Sequence, residues 1–106
     1  MNWNQEEFIA YLLIYASYAD GEFSLEERQM ILNKVNNDSF HKIMAEYAMD
    51  DDDAVKMEKI KAYEGIYYPT SVQKQELMHF VKQLFYSDNV FSDDEQDLWE
   101  RLREII

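Results

Sequence analysis

Apolar residues recur along this chain at intervals of three and four, the spacing that places side chains on one face of a helix. Phe8, Tyr11, Leu12 and Tyr15 follow i, i+3, i+4, i+7, and Ile9, Leu13 and Ala16 fill a neighbouring face. The first helix is therefore apolar around much of its circumference, which predicts a central place in a bundle. A second helix is expected from Ser24 to about Asn36, with Leu25, Ile31, Leu32 and Val35 turned inward. A break at Asn36–Ser39 precedes a third, capped by Asp38 or Ser39, in which Phe40, Ile43, Met44 and Tyr47 repeat the spacing. The acidic run at 50–53 opens a fourth, with Met57, Ile60, Tyr63 and Tyr67 on its buried side. Pro69 stops it, and Thr70 or Ser71 caps a fifth carrying Leu77, Phe80, Val81 and Leu84. A sixth begins at Ser92 and buries Leu98, Leu102 and Ile105. No segment alternates with a period of two. The expected architecture is all-α: one helical bundle of about six helices, a single domain over residues 1–106.

One turn occurs twice. SYADGEFSLEE, residues 17–27, aligns with FYSDNVFSDDE, residues 85–95, at an offset of 68 that pairs Asp20 with Asp88, Gly21 with Asn89, Phe23 with Phe91, Ser24 with Ser92 and Glu27 with Glu95. Gly is favoured just past a helix C-terminus because the chain there turns left-handed, and Asn tolerates that conformation next best. Each Ser-x-x-Glu is a capping box that opens the next helix. Phe23 and Phe91 precede the caps and are expected to dip into the core. Capping accounts for the serines and glutamates but not for Asp20 and Asp88, since a carboxylate at a helix C-terminus opposes the helix dipole. Either the amides of the following helix receive these side chains or a cation does.

Composition narrows the chemistry. Ten basic residues against 22 acidic ones give a formal charge of −12. Such a surface is a poor partner for nucleic acid and for anionic membranes, and leaves cations and proteins as expected partners. The apolar run at 8–19 falls short of the roughly 20 residues needed to cross a bilayer. Acidic residues precede it, where a signal peptide would be positive. Cysteine is absent, so there is no disulfide and no thiolate metal site. A reducing compartment is compatible with this without being required by it, and a cytoplasmic location is expected.

The stretch YASYADGEFSLEERQMI resembles the signature of the tellurite-resistance TerB-like domains, a small apolar helix ending in Ala-Asp-Gly before Ser/Thr-x-x-Glu. LFYSDNVFSDDEQDLWERL occupies the second-half position, with Asn89 where Gly is the pattern and Ser87 in the Ala position. The resemblance spans about residues 3–106 and implies an all-helical domain of two related helix–turn–helix halves. It further implies a non-enzymatic module associated with tellurite resistance and other stress responses. Metal-ion binding in that family is linked to the acidic turns, whose positions here are Asp20, Glu27, Asp88 and Glu95.

Read from the residues alone, a cation site would be built from Asp20, Glu22, Glu27 and their counterparts, and oxygen ligands favour Ca²⁺ or Mg²⁺ over zinc. It would not be an EF-hand. That loop needs Gly at position 6 and a carboxylate at position 12; counting from Asp20 these are Leu25 and Ile31, and from Asp50 they are Val55 and Lys61. The run at 50–53 is accounted for by the positive terminus of the helix it opens and by a pairing of Asp52 with Lys56. Tyr11, Tyr15 and Tyr18 share a face, their rings expected in the core and their hydroxyls at its rim. His41 and His79 stand without a second ligand at metal spacing. No nucleophile–base pair, phosphate loop or dinucleotide fingerprint is present, so an enzyme is not expected. A purely structural interaction domain without a ligand is the alternative reading.

Overall fold

A helix that is apolar nearly all round must be enclosed, and the chain encloses its first one. The computed structural model describes residues 3–18, 24–50 and 52–85, together with positions 96, 97, 99, 100 and 104. In it α1 spans Gln5–Ser17, and every residue from Ala10 to Ser17 is buried. The helix opens on a capping box. The Asn4 side chain accepts the Glu7 N–H at 2.8 Å, and the Glu7 carboxylate accepts the Asn4 N–H at 2.9 Å.

Among the residues up to Phe85 four further helices follow: α2 (Leu25–Lys34), α3 (Asn37–Met49), α4 (Asp53–Tyr67) and α5 (Ser71–Phe85). Each of them packs on α1, and α2 also touches α3 and α5. Among the described residues there is no strand, so the fold is an all-α bundle around a central helix. One apolar cluster joins all five helices through residues such as Phe8, Leu12, Ile31, Ile43, Ile60, Leu77 and Leu84. Fully burying a side chain of this size stabilises the fold by about 1.5–3 kcal/mol. No described helix is long and apolar enough to cross a membrane.

The stripe expected for α4 is realised, with Ile60 and Tyr63 buried and Met57 and Tyr67 beside them; in α5 Leu77, Val81 and Leu84 are fully enclosed, while Phe80 is half-buried with the Lys34 ammonium over its ring. Pro69 ends α4, and Thr70 caps α5. The Gln73 N–H donates to Thr70 Oγ1 and the Thr70 N–H to Gln73 Oε1, each at 3.2 Å. Two expectations are corrected. Leu25 is 67 % exposed rather than inward, because the first residue after the Ser24 cap projects outward while Glu27 turns into the bundle. The cap of α3 is Asn36, not Asp38 or Ser39. Its side chain accepts the Ser39 N–H at 2.8 Å, and its own N–H is held by the Glu6 carboxylate. Positions 96, 97, 99, 100 and 104 are helical, while Ser92, Leu98, Leu102 and Ile105 of the expected sixth helix lie outside the described residues.

An aromatic clasp ties the start of the chain to the end of α4. The Trp3 N–H donates to the Tyr63 hydroxyl at 3.1 Å, and the Tyr67 hydroxyl donates to the Trp3 carbonyl at 2.7 Å. The Trp3 and Tyr63 rings stack with centroids 4.6 Å apart. The Gln5 amide adds a bond to the Tyr68 hydroxyl.

Candidate functional site

The downstream arm of the first acidic turn is formed by Ser24 and Glu27. The Glu27 N–H donates to Ser24 Oγ at 3.1 Å, and Glu27 Oε1 accepts the Ser24 N–H at 3.0 Å. Glu27 is only 2 % exposed, so this carboxylate caps α2 from inside the bundle. The expected capping box is therefore present, and Glu27 is the one candidate metal ligand that the structure places. Asp20, Glu22, Asp88 and Glu95 lie outside the described residues, as do Phe23 and Phe91. Among the described residues no three His, Asp or Glu side chains converge as a metal ion would require.

A second acidic segment is fully built, at the α3–α4 junction. Asp50 is the C-terminal cap residue of α3, where a carboxylate opposes the helix dipole. Protein groups offset that cost: Lys59 Nζ lies 2.8 Å from Asp50 Oδ2, and the Tyr11 hydroxyl donates to the same oxygen at 2.7 Å. Lys59 also reaches Glu46 Oε2 at 3.4 Å. One helical turn along α1, the Tyr15 hydroxyl donates to Asp53 Oδ1 at 2.6 Å. The Asp52 side chain accepts the Ala54 N–H and caps α4. Lys56 does not pair with Asp52 as expected; its ammonium lies 4.4 Å from the centre of the Tyr47 ring, a cation–π contact.

The electrostatics follow from this geometry. Burial pushes the Asp50 carboxyl up, but the hydrogen bonds from Lys59 and Tyr11 outweigh it and hold its pKa below the usual carboxylate value. Burial likewise opposes the charge on Lys59, and the bond to Asp50 with the charge of Glu46 raises its pKa nonetheless. Burial, then the bond to Asp50, pushes the Tyr11 phenol far up, so it stays a hydrogen-bond donor. Tyr47 is pushed up to about 12, first by burial and then by Tyr18 and Asp53.

Two other buried carboxylates meet lysines. Glu7 lies 2.7 Å from Lys42 Nζ, and that bond, with the Asn4 N–H, lowers its pKa. Glu64 lies 3.3 Å from Lys74 Nζ. His41 and His79 are both exposed, and His79 contacts the Gln83 amide.

Periodicity does not show the tyrosine–aspartate bonds. A signal for them exists: two tyrosines one turn apart in an otherwise aliphatic helix carry hydroxyls that need partners once buried. Searches among known protein families, curated proteins and solved structures find no match for the chain.

Proposed function

We propose that the protein is a non-catalytic, stress-associated binding module of the TerB-like type. Its acidic helix–turn–helix loops take up a divalent cation, Ca²⁺ or Mg²⁺, a protein partner, or both. The observation that carries the reading is the repeated aspartate, Asp20 and Asp88, at the end of an apolar stretch ahead of a Ser-x-x-Glu cap. The first of those caps supports it, since Ser24 and Glu27 are joined as the motif requires. In the mechanism, one ion draws together the acids of a turn, relieves their repulsion and stiffens the hairpin that a partner then meets. Glu27 contributes by holding the cap, and Asp20, Glu22, Asp88 and Glu95 supply the remaining carboxylates.

Calorimetric titration with Ca²⁺, Mg²⁺, Mn²⁺ and Zn²⁺ tests this. The expected outcome is a saturable heat with Ca²⁺ or Mg²⁺ that disappears in the Asp20→Asn, Asp88→Asn double variant. Absence of saturable heat, or binding indifferent to the two substitutions, removes the ion from the mechanism.

One observation favours a second reading, a structural interaction domain with no metal. At Asp50 the chain offsets a helix-end carboxylate with Lys59 and Tyr11. If Asp20 is treated the same way, Asp20→Asn changes stability by about 1 kcal/mol, the scale of a lost cap, whether or not cations are present.

A further inference from the structure

The end of α1, α2 and α3 meet around a half-open recess of about 330 Å³, lined by Tyr18, Arg28, Phe40, His41 and Met44. That volume is at the lower end of the range of small-molecule sites, about 300–1,000 Å³. Its floor is the buried ring of Phe40. The Arg28 guanidinium lies over this ring, 5.5 Å from its centre, and the His41 imidazole meets it edge-on at 5.6 Å. One wall is Tyr18, which stacks on Tyr47 with ring centres 5.3 Å apart and planes 11° from parallel. Half-buried Met44 adds a deformable thioether.

Acidic residues outnumber basic ones 22 to ten; among the described residues Lys42, Lys59 and Lys74 pair with carboxylates, whereas Arg28, Lys34, Lys56, Lys61 and Lys82 do not, and of these five Arg28 is the one that lines the recess. The Arg28 side chain forms no ion pair among the described residues, and its guanidinium rests over the Phe40 ring. A guanidinium over an aromatic face keeps its N–H edges free, and those edges match a carboxylate in a two-point, planar fit.

We propose that this recess binds a small monoanionic carboxylate with a planar apolar body. The body lies among Tyr18, Phe40 and Met44, and the carboxylate pairs with Arg28. The acidity of the whole chain selects for a small ligand. Repulsion from a net charge of −12 grows with the charge of the partner, so a polyanion or an acidic protein is turned away. A single negative charge is repelled least, and its short-range pairing with Arg28 is local where the distant charges are screened beyond about 10 Å at 0.1 M salt. No metal takes part, so the proposal stands or falls apart from the cation reading.

The test uses phenylacetate as the probe and phenylacetamide as its uncharged counterpart. Each is titrated into the full ¹⁵N-labelled chain with EDTA present, and amide shifts are followed. Phenylacetate is expected to give saturable changes centred on residues 18, 28, 40, 41 and 44. Arg28→Gln and the switch to phenylacetamide each weaken binding by about tenfold or more, as loss of a charge-assisted bond requires. Arg28→Lys, which keeps the charge and loses the fork, falls between. Arg28 is exposed, so both variants are expected to keep the wild-type amide dispersion. Any of three results overturns the proposal: no saturation up to the solubility limit, shift changes scattered over the surface, or equal affinity for Arg28→Gln or for phenylacetamide.

Discussion

Lys59 and Arg28 are two cations on the same strongly acidic chain, in opposite circumstances. Lys59 sits at the α3–α4 junction between Asp50 and Glu46, its side chain 20 % exposed, and the ring of Tyr11 lies alongside. Arg28 stands at the rim of a recess with an aromatic ring beneath it and no described carboxylate within pairing distance. The first cation has been used to complete the fold. The second is left with its hydrogen-bonding edge available. Abundance of acid does not decide how a base is used; the packing of the helix that carries it does.

The widest separation between the two regions should appear in stability. Lys59→Met strips Asp50 of its counter-charge at a mostly buried site and is expected to cost about 2–3 kcal/mol. Arg28→Gln should change stability by no more than about 0.5 kcal/mol. Urea unfolding of the two variants measures both, and equal losses would erase the contrast.

Within the junction, the two tyrosines sharpen it. Tyr11→Phe removes a bond to a half-buried carboxylate that also holds Lys59, for an expected loss of about 1–1.5 kcal/mol. Tyr15→Phe removes a bond to Asp53, which is exposed, and should cost about 0.5 kcal/mol. The same unfolding curves rank them, and a larger loss at Tyr15 would move the centre of the junction to Asp53.

The mildest effect is the pH dependence. The folded pKa of Asp50 lies below its ordinary value of 3.8, so its contribution is complete above that value and is lost as pH falls through the lower folded one. Unfolding midpoints should decline on acidification, and less steeply in Asp50→Asn. On the alkaline side Tyr47 is raised from 10.0 to about 12, so its contribution is complete below 10.0 and is lost as pH rises towards 12. Arg28→Gln should follow the wild-type profile at both ends.

Much of the fold was legible because it depends on local spacing. An apolar helix with no charged residue from Phe8 to Tyr18 has one sensible place, and α1 occupies it. The Ser24–Glu27 box and the stop at Pro69 are likewise short-range features. Leu25 was misread because the direction of a first-turn side chain is set by which face meets the bundle, and periodicity does not supply that phase. Asn36 was missed because three neighbouring polar residues offered caps, and the Glu6 carboxylate that anchors its N–H comes from another helix. The pairing of Tyr11 with Asp50 joins residues 39 apart, and the recess at Arg28 depends on the crossing of three helices. The first leaves only the hint of two buried tyrosines whose hydroxyls need partners, and the second leaves no local trace. At the candidate cation site the cap formed by Glu27 was readable, and its other four residues lie outside those described.

The burial of α1 has a consequence for synthesis. The described helices that cover it, α2 to α5, all come later in the chain. At the pace of translation, about 5–20 residues per second, its aliphatic surface stays uncovered for on the order of seconds while the rest emerges. During that interval one nascent chain can stick to another, and the mutual repulsion of strongly acidic polypeptides is what holds them apart. The same surplus of carboxylates works against that contact before the bundle is complete.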